Sequence, residues 1–246
     1  MKKTVIGECE LYLGNCREVM LEIQRSGKTI DALICDPPYG IGENNIKSAS
    51  RGKKFGGKAK EKASSVTYAK DYGAFSWDEK TCQEEIDLAR QITKHHAIFG
   101  GNYYQLPPTS CWLVWDKENG DTDFADCELC WTNWKKAVRL RRHLWNGMLR
   151  KNQEQRWHPT QKPIGIMQWV IGLCPPHETI IDPFAGAFTT GVAAVLAGKR
   201  FIGIEQDERY YRVGIQRIEQ AYQDQSLLAL AEKKTVNKSR ELFIVE

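Results

Sequence analysis

No run in the 246-residue sequence approaches the roughly 18 consecutive apolar residues needed to cross a bilayer, so no membrane span is expected. The start, Met1-Lys2-Lys3-Thr4-Val5-Ile6-Gly7-Glu8, lacks the apolar stretch of a secretory signal. Eight cysteines, at 9, 16, 35, 82, 111, 127, 130 and 174, are scattered without the pairing of a disulfide framework. Several lie inside apolar runs, which predicts reduced thiols in a cytoplasmic protein. Cys127-x-x-Cys130 has no second Cys/His pair at suitable spacing, so no metal site is expected. The sequence also lacks Gly-x-Gly-x-x-Gly, which disfavours a cofactor bound through a pyrophosphate, and it contains no internal repeat.

What is present fits one large soluble domain, residues 1–246, with 41% hydrophobic and 27% charged residues. The net charge of +4 is unevenly spread. Residues 43–70 hold eight Lys/Arg against two Glu, and residues 131–157 hold eight against one. These two segments carry +6 and +7, leaving −9 on the remainder. An acidic body with two concentrated basic segments points to a polyanion met at defined places.

Apolar spacing predicts strands at Glu10–Leu13, 31–35, 97–99, Cys111–Trp115, Thr179–Ile181 and Phe201–Ile204. It predicts helices at Arg17–Arg25, Lys80–Thr93, Ile164–Leu173, Thr189–Leu196 and Asp207–Ala221. Residues 43–70 form a mobile basic loop, residues 118–157 an irregular, aromatic and basic stretch, and the tail beyond Lys233 a poorly ordered end. Strands alternating with helices imply a doubly wound, largely parallel sheet.

Two places on that sheet carry chemistry. Asp31-Ala32-Leu33-Ile34-Cys35 runs into Asp36-Pro37-Pro38-Tyr39, where two prolines force the backbone stiffly out of the hydrogen-bond ladder. That edge carries a carboxylate and an aromatic face, and suits a flat, nitrogen-bearing substrate such as a nucleobase. The second is Ile180-Ile181-Asp182-Pro183-Phe184-Ala185-Gly186, a strand running into a turn of small residues, with Glu205 ending the next strand. Small residues let a nucleoside approach the backbone, and an acid at the neighbouring strand end accepts from ribose hydroxyls. A tight strand-to-helix turn is the alternative. His158-Pro159-Thr160-Gln161-Lys162-Pro163 lies between the two and opens a helix, with Thr160 as its expected cap.

In their order along the chain these segments resemble the S-adenosylmethionine-dependent amino-group DNA methyltransferases of the circularly permuted β group. The resemblance covers roughly residues 8–220, and Leu13-Gly14-Asn15-Cys16 is similar to the family's Gly-Asp-Cys turn at the cofactor adenine. It implies a Rossmann-like, circularly permuted α/β fold with a target-recognition region inserted at 118–157. It also implies S-adenosylmethionine held by Asn15, Cys16, His158, Thr160, Gln161, Lys162, Asp182, Phe184, Ala185, Gly186 and Glu205. Methyl transfer would go to the exocyclic amine of a base flipped from double-stranded DNA, at a catalytic edge formed by Asp36, Pro37, Pro38 and Tyr39. Aspartate at position 36 is usual for adenine-N6 enzymes and serine for cytosine-N4 enzymes. A cytosine-N4 enzyme, an RNA methyltransferase and a non-catalytic DNA-binding protein retaining the fold are the alternatives. No Pro-Cys dipeptide is present to act as a cytosine carbon-5 nucleophile.

The basic residues Lys47, Arg51, Lys53, Lys54 and Lys58 of the loop are expected to meet DNA phosphates, a solvated linker being the alternative reading of 43–70. In the second basic stretch the candidate DNA contacts are Lys135, Arg139, Arg141, Arg142, His143 and Arg150, with at least two of the nearby tryptophans expected in a small core of the insertion. The family often dimerises, and any restriction enzyme would be a separate protein because no nuclease motif is apparent. Two positions depart from the family pattern. Phe188 stands where a glycine is usual, and Asn15 where aspartate is common; the Asn15 amide oxygen is expected to accept from the cofactor's adenine amino group.

Overall fold

In the computed structural model, which describes residues 1–40, 81–119, 125–146, 149–150, 155, 157–158 and 160–242, the apolar run 32–35 lies near the middle of the sheet. It forms β3 (Ile30–Cys35), paired in parallel with β10 (Thr179–Asp182) on one side and β4 (Thr93–Phe99) on the other. Ala32 to Cys35 are wholly buried, because helices cover both faces of a parallel strand and leave no polar side.

Beyond β10 lie β11 (Arg200–Glu205) and β2 (Cys9–Leu13), both parallel to their neighbours. A hairpin then adds β1 (Lys2–Ile6) antiparallel at the edge. Beyond β4 the sheet continues through β6 (Cys127–Thr132), β5 (Trp112–Asp116) and β7 (Arg139–Arg142). The order among the described residues is therefore β1-β2-β11-β10-β3-β4-β6-β5-β7. A two-stranded ribbon, β8 (Trp145–Asn146) with β9 (Leu149–Arg150), follows.

Helix α1 (Cys16–Arg25) and α2 (Gln83–Gln91) cover one face, packing Val19, Met20, Ile23 and Ile86 on Leu33, Ile98, Ile181 and Ile202. The other face is covered by α3 (Ile164–Leu173), α4 (Thr189–Leu196) and α5 (Glu208–Leu242). From β10 the chain winds through α4 to β11, and from β3 it winds through α2 to β4, in opposite directions. The strand order thus reverses between β10 and β3, the position at which open α/β sheets form a ligand crevice. Asp36 and Asp182 stand at that point.

Several expectations need correction. β1 is an addition to the expected strands; its Lys-Lys-Thr-Val-Ile is mostly exposed, and charged residues are usual on an edge strand. The stretch expected to be irregular supplies β6, β7 and the ribbon, with β6 inside the main sheet between β4 and β5. Its Cys-Glu-Leu-Cys-Trp-Thr sequence disguises a strand because Glu128 is drawn into an ion-pair cluster. The last helix continues to Leu242, since no glycine or proline interrupts it after Gly214. Helix α3 is capped by Pro163 rather than by Thr160. The loop 43–70 lies outside the described residues.

Candidate active site

The carboxyl ends of β2, β3, β10 and β11 surround a cavity of about 610 Å³, of the size that takes a nucleoside-sized ligand. Its walls include every residue expected at the cofactor, from Asn15 and Cys16 through His158, Thr160, Gln161 and Lys162 to 182–186 and Glu205. Asp36 and Pro38 complete one end. Asp36, Glu85, Asp182, Glu205 and Asp207 place five carboxyls on this wall against the single ammonium of Lys162, among the described residues. Such a lining favours a cationic ligand and opposes a pyrophosphate. A molecule carrying both a sulfonium and an α-ammonium fits that donor set.

Two of these wall acids brace the cavity's turns. Asp182 Oδ1 accepts from the Phe184 amide at 3.0 Å and Oδ2 accepts from the Thr190 hydroxyl at 2.5 Å. Glu205 Oε2 accepts from the Gly186 amide at 2.8 Å and Oε1 from the Asp207 amide at 2.7 Å. Burial raises each carboxyl to about 7, against the hydrogen bonds that pull it down. The Ala185 amide donates to the Ile204 carbonyl and closes the turn onto β11.

Phe188 does not enter the cavity wall. It adopts the left-handed conformation, φ 56° and ψ 39°, that a glycine takes without strain. Its ring turns into the core, wholly buried and edge-on to Phe201 and Tyr211. Gly203 and Gly214 make the space: a Cβ on Gly214 would lie 1.6 Å from the ring, and one on Gly203 2.3 Å.

Other walls are less free to meet a ligand than expected. Asn15 Oδ1 accepts from the Arg17 and Glu18 amides at 2.9 and 3.3 Å, capping α1. The expectation that this oxygen receives an adenine amino group is therefore corrected: its two acceptor positions are taken by the helix amides. Gln161 is buried with its carbonyl on the Trp157 amide and its nitrogen on the Gln155 carbonyl. It shapes the wall by holding its own loop. Thr160 bonds His158 Nδ1 at 3.1 Å, and the His158 ring meets Tyr210 edge-on with centroids 4.2 Å apart.

At the end of β3, Pro37 is buried and the Pro38 carbonyl accepts from the Tyr104 hydroxyl. The Tyr39 hydroxyl donates to Asp36 Oδ1 at 2.7 Å, while its ring stacks on Tyr103 with centroids 5.0 Å apart. That ring also lies on Gly100, where a Cβ would come within 2.1 Å and where φ is +62°, so glycine is required twice over. Lys162, expected at the cofactor, does line the cavity, but its Nζ donates to Asp36 Oδ2 at 2.6 Å. The same ammonium lies 3.0 Å from Glu128, which also pairs with Lys117 at 2.6 Å.

Burial raises the Asp36 carboxyl, Lys162 pulls it back and Glu128 pushes it up again. Burial would lower the Lys162 ammonium, yet Asp36 and Glu128 hold it above its ordinary value. Burial would raise Glu128, but Lys162 and Lys117 bring it down to about 2. Sequence reasoning missed Glu128, Tyr103, Tyr104 and Tyr210. The Tyr-Tyr pair one residue after a strand-ending Gly-Gly was a visible signal, whereas nothing marked Glu128.

The expected DNA contacts divide. Lys135, Arg139, Arg141 and Arg142 are exposed, the three arginines all on edge strand β7, where Arg142 pairs with Asp116 at 3.2 Å. His143 is corrected: it is buried against α3, its ring 3.2 Å from where a Cβ on Gly165 would lie, so it cannot reach a duplex. Trp131 and Trp134 are buried in the main core rather than in a separate small one. Arg150 lies on β9. Lys47, Arg51, Lys53, Lys54 and Lys58 lie outside the described residues. Cys127 is exposed and Cys130 buried on β6, and no group of three potential metal ligands occurs among the described residues.

Comparison with known proteins bears on the family and the fold. Over 92 residues, 36% of this chain and 31% of the relative, the sequence is 40% identical to the DNA adenine methyltransferase YhdJ of Escherichia coli. Over 257 aligned residues, 84% of this chain and 86% of the relative, it is 26% identical to the Type II methyltransferase M2.MboI of Moraxella bovis. Among solved structures, the M1.HpyAVI–SAM complex superposes with a TM-score of 0.54 at 18% identity, covering 85% of this chain and 98% of that one, a likeness of fold. The N6/N4 DNA methylase family model matches residues 66–216, more than half of the sequence, and the chain belongs to that family of DNA methylases.

Proposed function

We propose that this protein transfers a methyl group from S-adenosylmethionine to the N6 amine of adenine at a specific site in double-stranded DNA. One observation carries the reading: Asp36, stiffened by two prolines, stands at the end of an acid-lined cavity at the point where the strand order reverses. The adenine methyltransferase name of the E. coli relative supports the choice of base, although the match spans less than a third of that protein. S-adenosylmethionine supplies an electrophilic methyl group.

The chain's own residues do the rest. Asp36 and the Pro37 carbonyl accept the two N–H bonds of the target amine, which turns its nitrogen lone pair toward the cavity. Glu205 and the 182–186 turn hold the nucleoside end, with small side chains permitting close approach. No covalent intermediate is needed; positioning and fixed charges supply the rate. Tyr39 provides the stacking face for the flipped base, with the exposed Tyr103 as the partner displaced. Base stacking of this kind contributes about 1–3 kcal/mol, against an extraction cost of a few kcal/mol.

Tyr39→Phe keeps the ring and loses the hydroxyl that donates to Asp36. That bond lowers the Asp36 pKa, so its loss raises it. Since Asp36 acts ionised, the acid limb of the transfer rate is expected to move to higher pH, with substantial activity at its plateau. A Tyr39→Phe protein that is folded but inactive at every pH would give the hydroxyl a direct role.

On the DNA side, Arg139, Arg141 and Arg142 present a basic edge that meets backbone phosphates. Replacing all three with glutamine should make the dependence of log K on log salt shallower by about 0.9 for each phosphate no longer neutralised. An unchanged slope would take β7 out of the interface. The Type II methyltransferase names of relatives support a restriction–modification setting in the cytoplasm, with cleavage supplied by a separate enzyme. Among the described residues no helix is long and apolar enough to cross a membrane. The reading is tested by methylating unmodified genomic DNA and identifying the modified nucleoside by mass.

A further inference from the structure

The Lys162 ammonium stands where the proposed reaction needs a different donor. It lies 2.6 Å from Asp36 Oδ2, while Oδ1 already accepts from Tyr39 at 2.7 Å. Each oxygen of the acceptor thus already holds a partner before any base arrives, and the one on Oδ2 is an ammonium. A neutral amine does not displace a buried ammonium from a carboxylate unless that ammonium has a second place to go.

Glu128 offers that place. It reaches the cluster from β6, so it belongs to none of the four strands whose carboxyl ends surround the cavity. Its Oε2 lies 3.0 Å from Lys162 Nζ but is buried without a well-directed hydrogen bond, whereas its Oε1 is held by Lys117 at 2.6 Å. A buried carboxylate oxygen with unused acceptor capacity is costly to keep, and a small shift of Lys162 would fill it. Between the two carboxylates the ammonium passes the rings of Phe99 and Tyr39, whose centroids lie 5.2 and 5.6 Å from Nζ. Aromatic faces at that range stabilise a cation through the movement.

We propose that Glu128 is a positioning residue: it draws the Lys162 ammonium off Asp36 as the target amine arrives, leaving Asp36 Oδ2 open to accept the amine's N–H bond. This role rests on the methyl-transfer reading above and adds to it a device that keeps Asp36 paired until a base is in place. Among the described residues, the titratable groups facing Asp36 are Lys162, Glu128, Tyr39, Tyr104, Asp182, Cys35 and Cys130. Of these, Glu128 is the charged group that acts on Asp36 through Lys162 without lining the cavity.

The test is single-turnover methyl transfer to unmethylated DNA, with saturating S-adenosylmethionine, across the acid limb of the pH profile. Glu128→Gln keeps the shape and removes the charge that competes for Lys162. Its plateau rate is expected to fall about tenfold, the scale of one charge-assisted hydrogen bond. Its acid limb should move to lower pH, because a like charge near Asp36 is gone and Lys162 pairs with Asp36 alone. Glu128→Asp keeps the charge but draws it back; its plateau should fall between the two, with the limb near the wild-type position. S-adenosylmethionine affinity, read by titration, should match wild type in both and reports that the cavity is intact. The aspartate variant decides the matter where the glutamine protein does not fold. Wild-type rates in the variants would overturn the role, as would a lower plateau with an unmoved limb in Glu128→Gln, which is what a merely structural part would give. A wild-type protein that transfers no methyl group would overturn the reading itself and this role with it.

Discussion

Asp36→Ala is expected to lower methyl transfer by about a thousandfold or more, on the scale of removing a preorganised group that stabilises the reacting atoms, while S-adenosylmethionine still binds. The two effects separate because of how the site is built. Asp182, Glu205 and the small-residue turn that would hold the cofactor belong to β10, β11 and their loops, and their hydrogen bonds do not involve Asp36. Removing Asp36 would ordinarily strand the buried Lys162 ammonium, a cost large enough to threaten the fold. Here Glu128 remains 3.0 Å away and keeps that ammonium paired. The loss should therefore appear in single-turnover rate and not in cofactor affinity or thermal stability. A fully active Asp36→Ala protein would remove Asp36 from the mechanism.

Phe188→Ala is expected to destabilise the fold by about 3–5 kcal/mol, the usual range for emptying a buried aromatic site. The ring is wholly buried, and the glycines at 203 and 214 leave a space that no neighbouring side chain fills. Alanine also keeps the left-handed strain, worth about 1–2 kcal/mol, so Phe188→Gly should recover a part of the loss. Gly214→Ala, whose Cβ would fall 1.6 Å from the ring, should unfold the wild-type chain and be better tolerated beside Phe188→Ala. Denaturant unfolding reads all of these; a loss below about 1 kcal/mol for Phe188→Ala would place the ring outside the core energetics. Since Phe188 is not part of the cavity wall, a side chain at this position does not narrow the cavity.

Much of this architecture was legible because the buried strands leave a simple trace. The uninterrupted apolar runs 32–35 and 180–181, each followed by Asp-Pro, mark parallel strands covered on both faces, and their ends converge on one cavity. Asn15 illustrates a signal present but misjudged: an asparagine just before a helix is a cap first, and its oxygen is spent there. His143 was misplaced because it sits among arginines in sequence, while the strand's exit turns it beneath α3. The pairing of Lys162 with Asp36 spans 126 positions, and no local pattern encodes such a contact. Glu128 was hidden for the same reason, a charged residue in a strand whose neutralising partners come from β5's exit and from the loop before α3.

The most direct test is methyl transfer from labelled S-adenosylmethionine to unmethylated genomic DNA, digested to nucleosides and identified by mass, with Asp36→Ala beside it. N6-methyladenine from the wild type, and none above background from the variant, is the expected result. Methylcytosine in its place would contradict the assigned base, and binding of DNA with no methylated product would contradict the assignment of an active methyltransferase.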